Sequence, residues 1–244
     1  LVISLAAQAA RLSFGPFQLQ ACRAPLSSPN PKSPTPNPKS YYNYPMLNFW
    51  LILIALALYG ALHSFLASRR AKALAARWLG EPGRRYYRLF FSAQAAVTFI
   101  PILLLVFGLP AEPIYTVPQP WRMLMLALQG ACAAGILITF GQTGALAFLG
   151  LDALWIPQAR QAPPILRTDG LYRWVRHPVY TLSLLALYLM PWMTWNWLAL
   201  ALGATLYITL ALPLEESKLI DEFGEAYVTY RQRVPALLPY RLPK

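Results

Sequence analysis

The chain has 244 residues, 57% hydrophobic and 12% charged, with 21 Lys and Arg against 9 Asp and Glu for a net charge of +12. A soluble domain is about a quarter charged and less apolar, so a soluble globular protein, a disordered chain, a collagen and a coiled coil are all excluded. Two cysteines, Cys22 and Cys132, are too few for a disulfide scaffold. The apolar residues fall into four runs of roughly twenty and a shorter fifth, the length that crosses a hydrocarbon layer of about 30 Å. The expected fold is all-α: a polytopic integral membrane helical bundle with about five transmembrane segments and a C-terminal amphipathic helix.

Residues 1–45 stand apart from this pattern. They open with LVISLAAQAARLSF, a poor fit to a signal peptide, and continue into SSPNPKSPTPNPKS, which has nothing to build a core from. This stretch is expected to be extended or disordered and dispensable, with the membrane domain over 46–244. The first span is expected from about Leu47 to Leu66, anchored by Trp50. A loop follows with Arg69, Arg70, Lys72, Arg77, Arg84, Arg85 and Arg88 against one acid, Glu81. Such an excess of basic residues places a loop in the cytoplasm. The second span, about Leu89 to Leu109, contains Pro101, read as a kink, and ends in the outer loop PAEPIYTVPQPW.

The third span begins near Met123 and carries Gly130, Ala131, Ala133, Ala134 and Gly135, small enough for a neighbouring helix to approach. Its apolar character runs on to about Leu151, as a strongly tilted span or with a short re-entrant or interfacial piece after it. The loop 152–177, with Arg160, Arg167, Arg173 and Arg176, returns to the first basic side. Residues 178–191 make a helix of about 21 Å at most, too short to cross unaided, so their start is expected below the membrane surface in a protein-lined recess. Trp192 to Trp197 form an aromatic outer turn, and Trp197 to Leu214 the last span. Beyond it Leu219, Ile220, Phe223, Tyr227, Tyr230 and Val234 recur at helical intervals, an amphipathic helix on the interface or folded against the bundle.

Three places look chemical. Pro178 suits the first turn of a helix, where its missing N–H has no partner to lose. The free N–H groups after it, beside Arg176 and His177, make a place for a carboxylate; the plainer alternative is a headgroup anchor at Arg176 and a helix cap at His177. Glu215 and Glu216 end an apolar run, where ionised groups face a cavity or a partner. Successive helical residues point about 100° apart, so one acid pairs with Arg176 or Arg173 while the other faces a cationic ligand, unless both simply mark the helix end. His63, beside Ser64 near the inner end of the first span, reads as a base or as a hydrogen-bonded structural histidine. No phosphate-binding glycine loop, HExxH, CxxC or GxSxG occurs, and two histidines do not suggest a metal centre. Topology accounts for the positive charge, so no nucleic-acid partner is expected.

GLYRWVRHPVY (170–180) followed by LEESKLIDEFGEAYVTYRQRVPALLP (214–239) closely resembles the paired motif of the isoprenylcysteine carboxyl methyltransferase superfamily of membrane enzymes. ALHSFLAS (61–68) and GALAFLGL (144–151) look like its bacterial branch, which contains methanethiol S-methyltransferase, whereas Tyr180 is more like the isoprenylcysteine branch. The resemblance spans roughly 47–240 and is strongest at the C-terminal end.

It implies an S-adenosylmethionine-dependent methyltransferase whose cofactor site lies at the cytoplasmic ends of the last two membrane helices. Carried over by motif, His177, Pro178 and Tyr180 contribute to the cofactor pocket, Glu215 and Glu216 match the acidic pair, and Tyr227, Tyr230 and Arg231 match the motif tail. Arg176 joins them through the helix-start argument. His63 is the candidate base for a thiol acceptor, and Arg173 the candidate counter-charge for a carboxylate acceptor. The acceptor is expected to be a small thiol, an isoprenylcysteine-like carboxylate or a lipid-like molecule arriving from the bilayer, with the protein in a bacterial inner membrane. A transporter would also use buried acids, and a haem- or quinone-binding membrane subunit could use His63 and His177.

Overall fold

The computed structural model describes residues 44–155 and 165–240. The expected N-terminal extension, Cys22 and Arg160 lie outside the described residues, except for Tyr44 and Pro45. Helix α1, Tyr44–Ala67, is an unbroken helix of 24 residues rich in Leu, Ile and Ala. Helix α2 covers Arg69–Gly108, so the expected first basic loop is itself helical. The reason is local: RRAKALAARWL consists almost entirely of strong helix formers, and Ser68 caps it by accepting from the Ala71 N–H at 3.2 Å. Gly80, at φ 63°, breaks α2 into two arms, and Pro82 stands early in the second arm, where its missing N–H costs little. The second arm continues through Pro101 to Gly108 with helical backbone angles throughout.

After strand β1, Pro113–Thr116, helix α3 spans Trp121–Thr143, followed by the short α4, Ala145–Leu149, and a 3₁₀ turn at Leu151–Leu154. The long apolar run is therefore a span followed by a separate short piece, not one tilted helix. Arg85 Nε donates to the Ala153 carbonyl at 2.9 Å and Arg88 to that of Ala147 at 3.0 Å, holding it against α2. A second 3₁₀ turn at Gly170–Arg173 leads to α5, Pro178–Tyr188, of 11 residues. Strand β2, Trp192–Thr194, pairs antiparallel with β1, so the two outer turns are stitched together. Helix α6 then runs for 29 residues, Trp195–Phe223, without a break after Leu214. ESKLIDEF contains no breaker, and the chain turns only at Gly224, φ 58°, before α7, Glu225–Arg233.

Among the described residues, α1, α2, α3 and α6 are long and apolar enough to cross a membrane, and α5 is a shorter apolar helix. The protein is an integral membrane helical bundle. Its core joins Ile52 and Leu56 of α1, Ile102 and Val106 of α2, and Ala199 and Leu200 of α6. Close approach is made by glycines: a Cβ on Gly60 would stand 2.7 Å from the Tyr207 ring, and one on Gly203 would stand 2.5 Å from Leu56 Cδ1. Of the small residues in α3, Gly135 receives Leu182 of α5, while Gly130 borders open space. Asn196, fully buried at the start of α6, donates its side-chain amide to the Leu109 carbonyl at 3.2 Å, satisfying one of the acceptors that the end of α2 leaves unpaired.

Candidate active site

The site forms at the end of the bundle that carries Arg69–Arg88. Helix α5 starts at Pro178, with His177 as its N-cap residue. Residues 234–237 cross this start as a strap. The Arg176 N–H donates to the Pro235 carbonyl at 2.9 Å, the His177 N–H to that of Ala236 at 3.1 Å, and the Thr181 hydroxyl to that of Leu237 at 2.7 Å. The strap returns to α5 because Gly224 turns α7 back beneath α6 and places Tyr227 and Tyr230 on its buried face. The Tyr230 hydroxyl donates to the Tyr172 carbonyl at 2.7 Å, which ties the 3₁₀ turn to α7.

The strap encloses a buried charge cluster. Arg176 donates through Nε to Glu216 Oε1 at 2.8 Å and also contacts it through Nη2, with side chains only 9% and 6% exposed. Arg231 Nε approaches Glu216 Oε2 at 3.2 Å, but that side chain is 50% exposed. Arg176 Nη1 also donates to the carbonyls of Val234 and Arg231. A buried arginine holding one carboxylate with two nitrogens is a strong, directional contact, and removing either partner would strand a charge in a poor solvent.

Glu215, half-buried on the same helix, accepts from the Tyr180 hydroxyl at 2.6 Å. The two acids therefore have different partners, with Glu216 the one on Arg176. The ring of Tyr180 stacks on that of His177 at 5.6 Å and 7° between planes. His177 Nε2 lies 3.4 Å from Glu216 Oε1 yet makes no hydrogen bond, and the buried Tyr227 hydroxyl has none either. Burial lowers the pKa of His177 below its ordinary 6.5; Glu215 and Glu216 oppose this and Arg176 adds to it. Burial foremost, then Glu216, pushes Tyr227 up to about 12. A cavity of about 250 Å³ opens onto Glu216 and Arg231 between Leu212, Pro213, Ser217 and Ile220.

Arg176, His177, Pro178, Tyr180, Glu215, Glu216, Tyr227, Tyr230 and Arg231 thus come together, directly or through the strap. Arg173 does not join them: it is exposed on the 3₁₀ turn and takes part in no ion pair with the described residues. His63 lies in a different place, an aromatic box of Tyr59 at 5.5 Å, Phe91 at 4.6 Å and Tyr207 at 6.1 Å between ring centroids. Its Nδ1 is buried without a hydrogen-bond partner. Ser64 donates to the Tyr207 hydroxyl at 3.4 Å, which makes Tyr207 the link between this box and α6. Sequence reasoning missed Tyr207 and the strap carbonyls. Tyr207 sits inside an apolar run with no motif around it, and main-chain acceptors leave no trace in residue identity.

Four membrane-length helices, and a charge cluster buried where one of them, α6, and the short α5 meet a C-terminal strap, define an integral membrane protein with an internal polar site. Methanethiol S-methyltransferase 1 of Bradyrhizobium diazoefficiens is 31% identical over 196 residues, covering 78% of this chain and 66% of its own length. Methanethiol S-methyltransferase of a Pseudomonas species is 30% identical over 192 residues, covering 77% of this chain and 72% of its own length. Methanethiol S-methyltransferase 2 of Bradyrhizobium diazoefficiens is 51% identical over 73 residues, 30% of this chain and 28% of its own length. No protein-family profile and no solved structure matches the chain. The chain belongs to the methanethiol S-methyltransferase family, within the isoprenylcysteine methyltransferase-type membrane enzymes. It spans just under two thirds of the length of the first of these relatives.

Proposed function

We propose that the protein transfers a methyl group from S-adenosylmethionine to a small thiol, at a site facing the cytoplasm of a bacterial inner membrane. The observation that carries this reading is the buried Arg176–Glu216 pair at the start of α5, beside the Tyr180–Glu215 pair, in a chain of this family. The donor set suits the cofactor. The N-terminus of α5 offers N–H groups to a carboxylate, Glu215 offers a counter-charge to a cation, and the stacked His177 and Tyr180 rings offer a flat aromatic face. The unpartnered His177 Nε2 and Tyr227 hydroxyl are buried polar atoms of the kind a ligand satisfies.

When bound, the cofactor supplies a methyl group already activated on a sulfonium. The protein has to hold the acceptor in line with that methyl and keep water away. Glu216 fixes Arg176 and so sets the shape of the site. The cavity of about 250 Å³ is smaller than the usual small-molecule range of about 300–1,000 Å³. Arg231 is half exposed and forms one wall of it.

A thiol must lose its proton as it attacks, and His63, outside the charge cluster in its aromatic box beside Tyr207, is the candidate base. A carboxylate acceptor would need a counter-charge inside the site, and Arg173, the candidate for that role, is at the surface. A groove of about 500 Å³ between α1 and α6, bordered by Gly60, Ser64, Tyr207 and Leu214, gives an apolar acceptor a path from the lipid side. Titration calorimetry of the detergent-solubilised chain with S-adenosylmethionine tests the reading. Binding is expected, weakened at least about tenfold in E216Q and unchanged in R122Q at the opposite end. Folded protein that binds neither S-adenosylmethionine nor S-adenosylhomocysteine would refute it.

A further inference from the structure

The arginines of α2 divide into two groups. Arg69 pairs with Asp221, while Arg85 and Arg88 hold the carbonyls of Ala153 and Ala147. These guanidiniums have structural partners. Arg70, Arg77 and Arg84 are exposed and take part in no hydrogen bond or ion pair with the described residues.

Their setting is specific. The first arm of α2 runs to Gly80, and the second arm returns to the end of α1, where the Tyr87 hydroxyl donates to the Leu66 carbonyl at 2.7 Å. The arms touch at the bend, since a Cβ on Gly83 would come within 2.3 Å of the Ala75 carbonyl oxygen. The result is a closed helical hairpin at the end of two membrane-spanning helices. Ala71 is buried on the first arm. Leu74 and Trp78, one turn apart, form an apolar stripe beside it, and Arg70 and Arg77, two turns apart, form a basic stripe about 60° further round. Trp78 is 81% exposed and Leu79 is exposed as well. Trp155, at the end of the segment that Arg85 holds, is 70% exposed.

A large exposed tryptophan beside unpaired arginines, at the level where spanning helices leave the hydrocarbon, is unfavourable in water. It is favourable at a membrane surface, where the ring enters the headgroup layer and the arginines meet phosphates. We propose that the α2 hairpin is a binding site for anionic phospholipid headgroups, with Arg70, Arg77 and Arg84 as the phosphate partners and Leu74 and Trp78 inserted beside the acyl chains. The site is separate from the methyl-transfer cluster and does not depend on the reading of that cluster.

The test uses the purified full-length chain in detergent, titrated with phosphatidylglycerol or phosphatidylcholine and read by native mass spectrometry as lipids retained. Each basic residue at an anionic surface contributes roughly fivefold in affinity, so R70Q/R77Q/R84Q is expected to lose at least about tenfold of the preference for phosphatidylglycerol. Because these arginines hold no other part of the protein, the variant should keep its melting temperature. If it does not, the single changes R70Q and R77Q carry the test, each with a loss of roughly fivefold. W78A is expected to weaken retention of both lipids. Equal preference for phosphatidylglycerol in wild type and the folded variants would overturn the proposal. So would displacement of the lipid by millimolar inorganic phosphate, which would mark a site for free phosphate instead.

Discussion

Glu215 and Glu216 are neighbours in sequence, yet their surroundings set different costs for losing a charge. Glu216 is buried against Arg176, so E216Q leaves a guanidinium in a poor solvent with only a neutral acceptor. Its unfolding free energy in detergent should fall by about 3 kcal/mol, the lower end of what breaking a buried pair costs. E215Q removes one charge-assisted bond from Tyr180 at a half-buried position and should cost about 1 kcal/mol. Equal losses in chemical unfolding would contradict this division. His177 adds a pH dependence of known sign. Its pKa is lowered in the folded protein, so the unfolded chain takes up its proton first as pH falls. Stability should be flat above about pH 7 and decline as pH falls through the ordinary histidine value near 6.5 towards the lower folded value. H177N should flatten that part of the profile, and an unchanged slope would show that another group is responsible.

At the scale of elements, the helix breaks at Gly80, Gly144 and Gly224 belong to glycines with positive φ, and the hairpin of α2 adds a steric demand. G83A would drive a methyl group into the Ala75 main chain, which cannot move aside as a side-chain end can. It should lower the melting temperature, at a cost of about 2–3 kcal/mol. G130A, in open space on α3, should be neutral or slightly stabilising by about 0.5 kcal/mol. A matched pair of melting curves checks both.

The spans themselves were legible because apolar length is a strong signal. Pro178 marked the start of α5 because its ring is tolerated there. The helical state of 69–79 was not legible, since a charge run between spans looks like a loop although Ala, Leu, Arg and Lys favour helix. The continuation of α6 past Glu216 was hidden in the same way by EESK. The proline-started helix brought Arg176 into view, the acids ending an apolar run brought Glu216, and the family resemblance alone brought Arg231. The β1–β2 pairing and the strap could not be found, because both are main-chain contacts between distant segments.

Across the whole molecule, charge sets the orientation. The hairpin of α2 and the α7 strap lie at one end with most of the arginines, and β1 and β2 lie at the other, so the positive-inside rule predicts that the charge cluster faces the cytoplasm. In a background lacking Cys22 and Cys132, a cysteine at the exposed Ala73 should react with an impermeant maleimide only from the cytoplasmic side. One at Ala111 should react only from the outside. The reverse pattern would invert the topology and place the site away from cellular S-adenosylmethionine. Methyl transfer to a small thiol is read out by headspace gas chromatography of the purified chain supplied with S-adenosylmethionine and methanethiol. Dimethyl sulfide should form in proportion to enzyme and be strongly reduced in E216Q. Folded, cofactor-binding protein that forms no dimethyl sulfide would rule that transfer out.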